Sequence, residues 1–502
     1  MIKGFHLDLK AQMPKFSYIM KIIERIADMG YNTLLLEYQD KFPYSGEYSC
    51  LSSPDALTRN EIFALKSLCD KRNIEIIPMV QCLGHMYWVT RFDEYASLGE
   101  HGKGSHSLCA SNPGSIELFK ALARDVMDMH PESKYFHIGA DEVKFSDVCP
   151  LCSDKKKTEI LAEHYKKALE FVKINNFAPV MWGDMIIKYD GLSDILPKDT
   201  VIMDWDYTEG LSFENAKRFY GCPSPLCRNA APAFENTRKL IDKGYNVICA
   251  PAVRSMGDTV YMPRNVHFDN CIQSVYTVME CGALGFIVTS WAVRRVPHIL
   301  TEPILFAASM LADNRKPNYP YSDIISHISK EYFGTDNADT ALISFEFADI
   351  LAKARDTAEL LSSGQDFMDA VTGHFLSDSL QKRLNGESIY GNGKTRKAYS
   401  ELSEKATELL KRIPDKNFSE YTKMLANSLI YSIIISDIIC GICDNGNDAE
   451  YLAGMLSRLE RVSEDFDIFD DYYTAYSMPS EKMARFGVYI DYIRMLLSSG
   501  KC

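Results

Sequence analysis

Tyr135-Phe136-His137-Ile138-Gly139-Ala140-Asp141-Glu142 reads as a strand that runs into a pair of carboxylates. A side-chain period of two puts His137, Gly139 and Asp141 on one face and Phe136, Ile138 and Ala140 on the other. The apolar face is the one that helices cover, so the polar set points inward, and Glu142 follows just past the strand end. Carboxylates this close do not both ionise easily in a partly dry site, which predicts one raised pKa and a general acid at neutral pH. An arbitrary Asp-Glu pair is a solvated loop. An inward His and Gly at a strand end take this pair out of that class.

Seven further runs of the same kind flank this one. The predicted strands are Gly4–Leu9, Asn32–Tyr38, Ile74–Gln81, Tyr135–Ala140, Pro179–Trp182, Val201–Trp205, Tyr245–Ala250 and Gly285–Trp291. Helical spacing lies between them, as in Ile19, Ile22, Ile23 and Ile26, and in Leu161, Tyr165, Ala168 and Val172. Eight βα units in about 300 residues fit a closed barrel better than an open doubly wound sheet. Pro78 is at odds with the third strand, because it cannot donate a ladder hydrogen bond. After Pro317 the strand signals stop and amphipathic helix formers take over. The expected fold is therefore α/β, a (β/α)8 TIM barrel over residues 1–318 followed by an α-helical domain over 319–502.

In such a barrel the C-terminal strand ends build the active site. Three of the four tryptophans, Trp182, Trp205 and Trp291, close the fifth, sixth and eighth predicted strands, and Trp88 follows the third. One tryptophan there could be packing; three on one rim favour a sugar site, since flat rings suit the apolar faces of a pyranose.

Composition narrows the partners. The 502 residues are 46% hydrophobic and 25% charged, enough for a large core, and 68 acids against 55 bases leave a net charge of -13 without charge runs. Nucleic acid and anionic membrane are poor partners on that balance. The start, Met1 to Asp8, lacks the pattern of a secretory signal, and the apolar run Leu429–Ile439 is short for a membrane span, so a cytoplasmic location is expected. Fourteen cysteines scattered through the chain suit a reducing compartment. Cys149-Pro150-Leu151-Cys152 and Cys440-Gly441-Ile442-Cys443 have ligand-like spacing, but a zinc site would need the two pairs to meet across the domain boundary. The first pair is read as stiffening the loop after Glu142 and the second as core. No cofactor and no metal are expected, and a homodimer is an admissible assembly.

His137-Ile138-Gly139-Ala140-Asp141-Glu142 resembles the family-20 glycoside hydrolases, whose fourth barrel strand ends in His-x-Gly-Gly/Ala/Cys-Asp-Glu. Similarity to compact hexosaminidase D-like members extends to His6-Leu7-Asp8-Leu9-Lys10, Leu36-Glu37-Tyr38 and Gly84-His85-Met86. The resemblance implies an exo-β-N-acetylhexosaminidase acting on glycans or glycoconjugates with a terminal N-acetylhexosamine, with retention through an oxazolinium ion formed by the substrate's own acetamido group. By position, Asp141 would orient the acetamido group and Glu142 would serve as acid, then base. Trp182, Trp205 and Trp291 would wall the sugar, Tyr261 would donate to the acetamido oxygen, and His85 and His137 would brace the carboxylates or bind hydroxyls. Lys10 and Glu37 complete the expected substrate-binding set. The family's Glu two residues after the eighth-strand tryptophan is replaced by Val293, followed by Arg294, which implies loose selectivity between gluco and galacto epimers. Two rivals stand beside this reading: a two-acid barrel glycosidase pairing Asp141 or Glu142 with Asp184 or Glu37, and a sugar-binding barrel without catalysis.

Overall fold

The computed structural model describes residues 1–147, 149–207, 234–255, 258–314, 320–357, 393–445 and 448–498. Nine strands run in chain order: β1 (Ile2–Asp8), β2 (Thr33–Glu37), β3 (Glu75–Met79), β4 (Tyr135–His137), β5 (Ala178–Trp182), β6 (Val201–Trp205), β7 (Asn246–Ala250), β8 (Ala252–Arg254) and β9 (Gly285–Ser290). Eight of them, β1 to β7 and β9, form a parallel sheet that closes where Ile2 pairs with Gly285. The predicted barrel is present. β8, which sequence reading did not separate, adds Ala252 and Arg254 to the far end of β9.

Alternation along the strands explains why the barrel is filled as it is. Leu35, Ile77, Met79, Val180, Trp182, Val201, Met203, Ile248, Ala250 and Ile287 pack together inside it. Their outward neighbours, such as Leu34, Leu36, Ile76, Phe136, Ile202 and Val247, join the larger core under the helices. Gly4 has no side chain because Ile287 crosses the barrel there, and a Cβ on Gly4 would lie 2.4 Å from it. At the C-terminal ends the inward positions change character, to Asp8, Glu37, His137, Trp182 and Trp205. Pro78 keeps its place in β3, opposite Leu36.

Helices cover the barrel in the expected order, with ends set by local chemistry. Asn112 caps Pro113–Met129 by accepting from the Gly114 N–H at 2.9 Å, with Pro113 at the first helical position. Thr58 and Glu61 form a capping box at the start of Arg59–Lys71. From Tyr321 onward the described elements are helical. The longest helix among the described residues, Glu420–Asn445, is long and apolar enough by length and composition to cross a membrane, and 56% of its most apolar stretch is buried in the fold. It outruns the predicted Leu429–Ile439 segment and lies against helix Gly393–Arg412.

The helical half is tied to the barrel by buried charge. Glu481 bonds to Arg295 and, at 2.7 Å, to Arg485, while Gln12 donates to Glu481 at 3.2 Å. Arg254 of β8 donates to Gln12 at 2.7 Å and to the Val296 carbonyl at 2.9 Å. All of these residues come from the segments that follow barrel strands or from the tip of the helical half.

Candidate active site

The chain leaves β4 earlier than its apolar alternation predicts. The strand ends at His137, and φ is positive at Gly139 (67°), Ala140 (78°) and Glu142 (47°). Two of these three are not glycine, and such conformations persist only where the surroundings impose them. The period-two argument therefore fails beyond His137, yet Asp141 still reaches the interior because the left-handed turn re-aims it. Gly139 is required at its position: a Cβ there would lie 1.9 Å from Gln81 Oε1. Gly84 likewise lets the loop after β3 pass the turn, since its Cβ would lie 2.1 Å from the Asp141 carbonyl oxygen.

Asp141 and Glu142 are bridged by one imidazole. His85 Nε2 lies 3.1 Å from an Asp141 carboxylate oxygen and 3.3 Å from one of Glu142. Gln81 donates to the other Asp141 oxygen at 3.0 Å. Asp141 is buried, whereas the Glu142 side chain is 51% exposed. Burial pushes Asp141 up, but the His85 charge and hydrogen bond, aided by Gln81, outweigh it and hold the carboxyl below its usual range. For Glu142 the His85 hydrogen bond is the largest influence, and it too is held low. Burial opposes charge on His85, yet the two carboxylates lift it to about 10. The expectation of a raised member in the Asp141-Glu142 pair is corrected here: the intervening cation lets both ionise.

A carboxyl that is raised stands beside the pair, at Asp184. Burial first, then the charge of Asp141, lift it to about 7. Its carboxylate accepts the backbone N–H of Glu142 at 2.9 Å, so it holds the main chain of the acidic turn.

Polar groups from β1 and β2 form a second layer. Lys10 lies 3.2 Å from Glu37 and 3.4 Å from Asp8, and Glu37 also meets His6 at 3.1 Å. The Lys10 ammonium sits 4.7 Å from the centre of the Trp291 ring. Burial disfavours the Lys10 charge, but Asp8 and Glu37 outweigh it and raise its pKa. Lys10 is thus held as a counter-ion to Asp8 and Glu37 beside the Trp291 ring.

Aromatic rings stand at the C-terminal strand ends, Trp182 fully buried and Trp205 and Trp291 partly exposed. Trp182 and Trp291 stand 5.9 Å apart at 46°, and His137 lies 4.7 Å from Trp182. His137 accepts the Gly139 N–H at 2.9 Å and braces the turn through main chain, not through the carboxylates. Burial holds it near 3, so it is neutral. Trp205 faces Tyr207 at 5.2 Å, and the Tyr207 hydroxyl accepts from Trp291 Nε1 at 2.8 Å. Burial raises the Tyr207 pKa, with Asp141 and Glu142 adding to the effect, so it remains a neutral hydroxyl beside the acidic pair. Tyr261 is not in the site: its hydroxyl donates to the Arg485 carbonyl at 3.4 Å, at the junction with the helical half. Trp88 is also core, stacked on Tyr44 at 5.9 Å and 17°. The Arg294 side chain lies outside the described residues. Sequence reading missed Gln81 and Tyr207, although each sits two residues beyond the end of its strand, in phase with the inward face.

Residues 3–219 match the model of the glycosyl hydrolase family 20 catalytic domain. That stretch is similar to the catalytic domain of this family. Hexosaminidase D of Bos taurus is 31% identical over 213 residues, which cover 40% of this chain and 62% of that protein. Hexosaminidase D of Homo sapiens is 32% identical over 217 residues, covering 41% of this chain and 45% of the human one. The match thus spans less than two thirds of either relative's length. Among solved structures, the beta-N-acetylhexosaminidase of Bacteroides fragilis NCTC 9343 aligns at 19% identity over 61% of this chain and 66% of that one, with a TM-score of 0.43.

Proposed function

We propose that the chain is an exo-acting β-N-acetylhexosaminidase that removes terminal β-linked N-acetylglucosamine and N-acetylgalactosamine with retention, using the substrate's acetamido oxygen as nucleophile. The observation that carries this reading is the His85 bridge between a buried Asp141 and a half-exposed Glu142, at the barrel end where Trp205 and Trp291 are partly exposed. It assigns the two acids different work. In this reading Asp141, held by Gln81 and His85, orients the acetamido N–H and stabilises the positive charge that grows as the oxazolinium ring closes. Tyr207 takes the part first given to Tyr261, donating to the acetamido oxygen.

Glu142 delivers the proton to the leaving oxygen and then takes one from water. A sugar seated on the tryptophans removes water from its half-exposed carboxyl, and desolvation raises the pKa of a carboxylate toward that of a donor. His85 holds the proton nearby until then. Lys10, Glu37 and Asp8 keep charge balance at the base of the site.

Nitrophenyl glycosides test the reading. The expected outcome is turnover of both acetamido epimers and essentially none of the matching glucoside or galactoside. Turnover of the plain glycosides would favour a two-acid glycosidase instead, and absence of all turnover would favour a binding barrel. An epimer preference above roughly a thousandfold, about 4 kcal/mol, would overturn the loose selectivity.

A further inference from the structure

Two loops of the catalytic rim meet again away from the acidic pair, in a buried cluster of thiols. Glu100 and Cys109 belong to the segment after β3, which also carries His85; Cys149 and Cys152 belong to the segment after β4, which carries Asp141 and Glu142. All four side chains are buried, and one ligand atom from each lies within 4.8 Å of the others. The Cys109 sulfur is 3.5 Å from that of Cys149 and 3.8 Å from that of Cys152. A disulfide would bring two sulfurs to about 2.05 Å. A tetrahedral zinc with bonds of about 2.3 Å to sulfur sets sulfurs about 3.8 Å apart. The separations match the second case.

The surroundings fit a closed site. Glu100 Oε1 lies 2.8 Å from the Cys152 sulfur, and its other oxygen accepts the Ser146 N–H at 3.1 Å, which orients the carboxylate. Glu100 is buried, and its carboxylate faces the thiols with the Ser146 N–H and the Cys152 sulfur as its hydrogen-bond donors. Ile160 and Phe145 pack around the cluster and exclude water. Cys440 and Cys443 are not part of it: Cys440 contacts the Arg396 carbonyl within the helical half. Pairing between Cys149-Cys152 and Cys109-Glu100 therefore replaces the meeting of two Cys-x-x-Cys motifs on which a metal was thought to depend.

We propose that Cys109, Cys149, Cys152 and Glu100 bind one structural zinc ion, which clamps the loop bearing His85 to the loop bearing Asp141 and Glu142. Binding releases the three thiol protons to solvent and forms three zinc–sulfur bonds and one zinc–oxygen bond. All four positions are filled by protein, so the ion takes no part in hydrolysis. Soft sulfur ligands select zinc over calcium or magnesium. The Lys157 ammonium, donating to the Cys152 carbonyl at 2.8 Å, offsets part of the resulting negative charge.

Elemental analysis of the full chain, produced without a polyhistidine tag or chelating resin, tests this independently of any glycosidase activity. About one zinc per chain is expected, released by a mercurial and lost in Cys149→Ser and Cys152→Ser, while Cys50→Ser, at an exposed thiol, retains it. Cobalt added to reduced, metal-stripped wild-type chain should give an intense thiolate-to-cobalt band with tetrahedral visible absorption, a readout that does not depend on variant folding. Zinc far below stoichiometric with no cobalt band would overturn the proposal. So would an intact mass showing that Cys109 is joined to Cys149 or Cys152 as a disulfide.

Discussion

At the scale of single residues, the site turns on which proton sits where. Glu142→Gln keeps the shape of the side chain but cannot deliver a proton, so substrates with poor leaving groups should slow by about 10²- to 10⁴-fold while activated aryl glycosides suffer less. Equal losses on both would remove Glu142 from the acid role. Asp141→Asn should slow both kinds of substrate, because its charge acts on the ring-closed intermediate; steady-state kinetics on the two classes separate the variants. His85 makes the prediction sharpest in pH. Its pKa is raised from 6.5 to about 10, so the folded state holds the proton more tightly than the unfolded chain does. That contribution to stability is complete below pH 6.5 and is lost as pH climbs through 10. Imidazole NMR should report a transition near 10 in the wild-type chain and a lower one in Asp141→Asn, whereas a wild-type value near 6.5 would dissolve the bridged unit. What the residue scale owed to sequence is uneven. The inward phase of the strands picked out Trp182 and Trp205, and Tyr207 was equally legible two residues past Trp205; Asp141 was found for a reason that fails past His137, and Glu37 came from the family resemblance. Tyr261 misled because a tyrosine in a loop after a strand carries no phase, and its partner, Arg485, lies more than two hundred positions away in the chain.

At the scale of elements, the loops after β3 and β4 are the working parts, and glycines let them pass each other. In Gly139→Ala a side chain enters a left-handed backbone, costing about 1–2 kcal/mol, and displaces Gln81 from its place beside Asp141. Gly84→Ala meets main chain, which cannot swing aside, so the Asp141 backbone must move. A shift of about 1 Å at a catalytic group costs on the order of 10²-fold in rate. Both variants should therefore lose activity out of proportion to their thermal midpoints; a Gly84→Ala enzyme with unchanged kcat would mean that the turn tolerates displacement. These close approaches explain the limits of the sequence reading. Strand positions were legible to within a few residues, because apolar alternation registers burial on two faces. The true end of β4 was not, since a left-handed turn at Ala140 and Glu142 leaves no mark in a pattern that continues through them. The partners of Cys149 and Cys152 were hidden for a related reason: Cys109 and Glu100 lie some forty to fifty positions earlier and meet them only in space.

At the scale of the molecule, barrel and helices are joined by a buried carboxylate between two guanidinium groups, an arrangement no hydrophobic pattern foretells. Glu481→Gln leaves Arg295 and Arg485 without their counter-charge and should cost about 3–5 kcal/mol. Calorimetry will show whether the two halves then melt together at a lower temperature or separate into two transitions; no change in either would mean that the junction is held by apolar contacts alone. The closure of the barrel has its own consequence during synthesis. β1 finds β2 soon after both emerge, but its other edge is completed only by β9, more than two hundred and seventy residues later. At about 5–20 residues per second, that edge stays open for tens of seconds on the ribosome. An open, apolar strand edge invites pairing with another nascent chain. The one charged side chain on that strand's early half is Lys3, which ends up bonded to Asp313 at 2.6 Å and to Ser309 at 3.2 Å in the helix that follows β9. Before that helix exists the ammonium stands on an unfinished edge, so the same lysine that later latches the closed barrel first repels neighbouring copies from its seam.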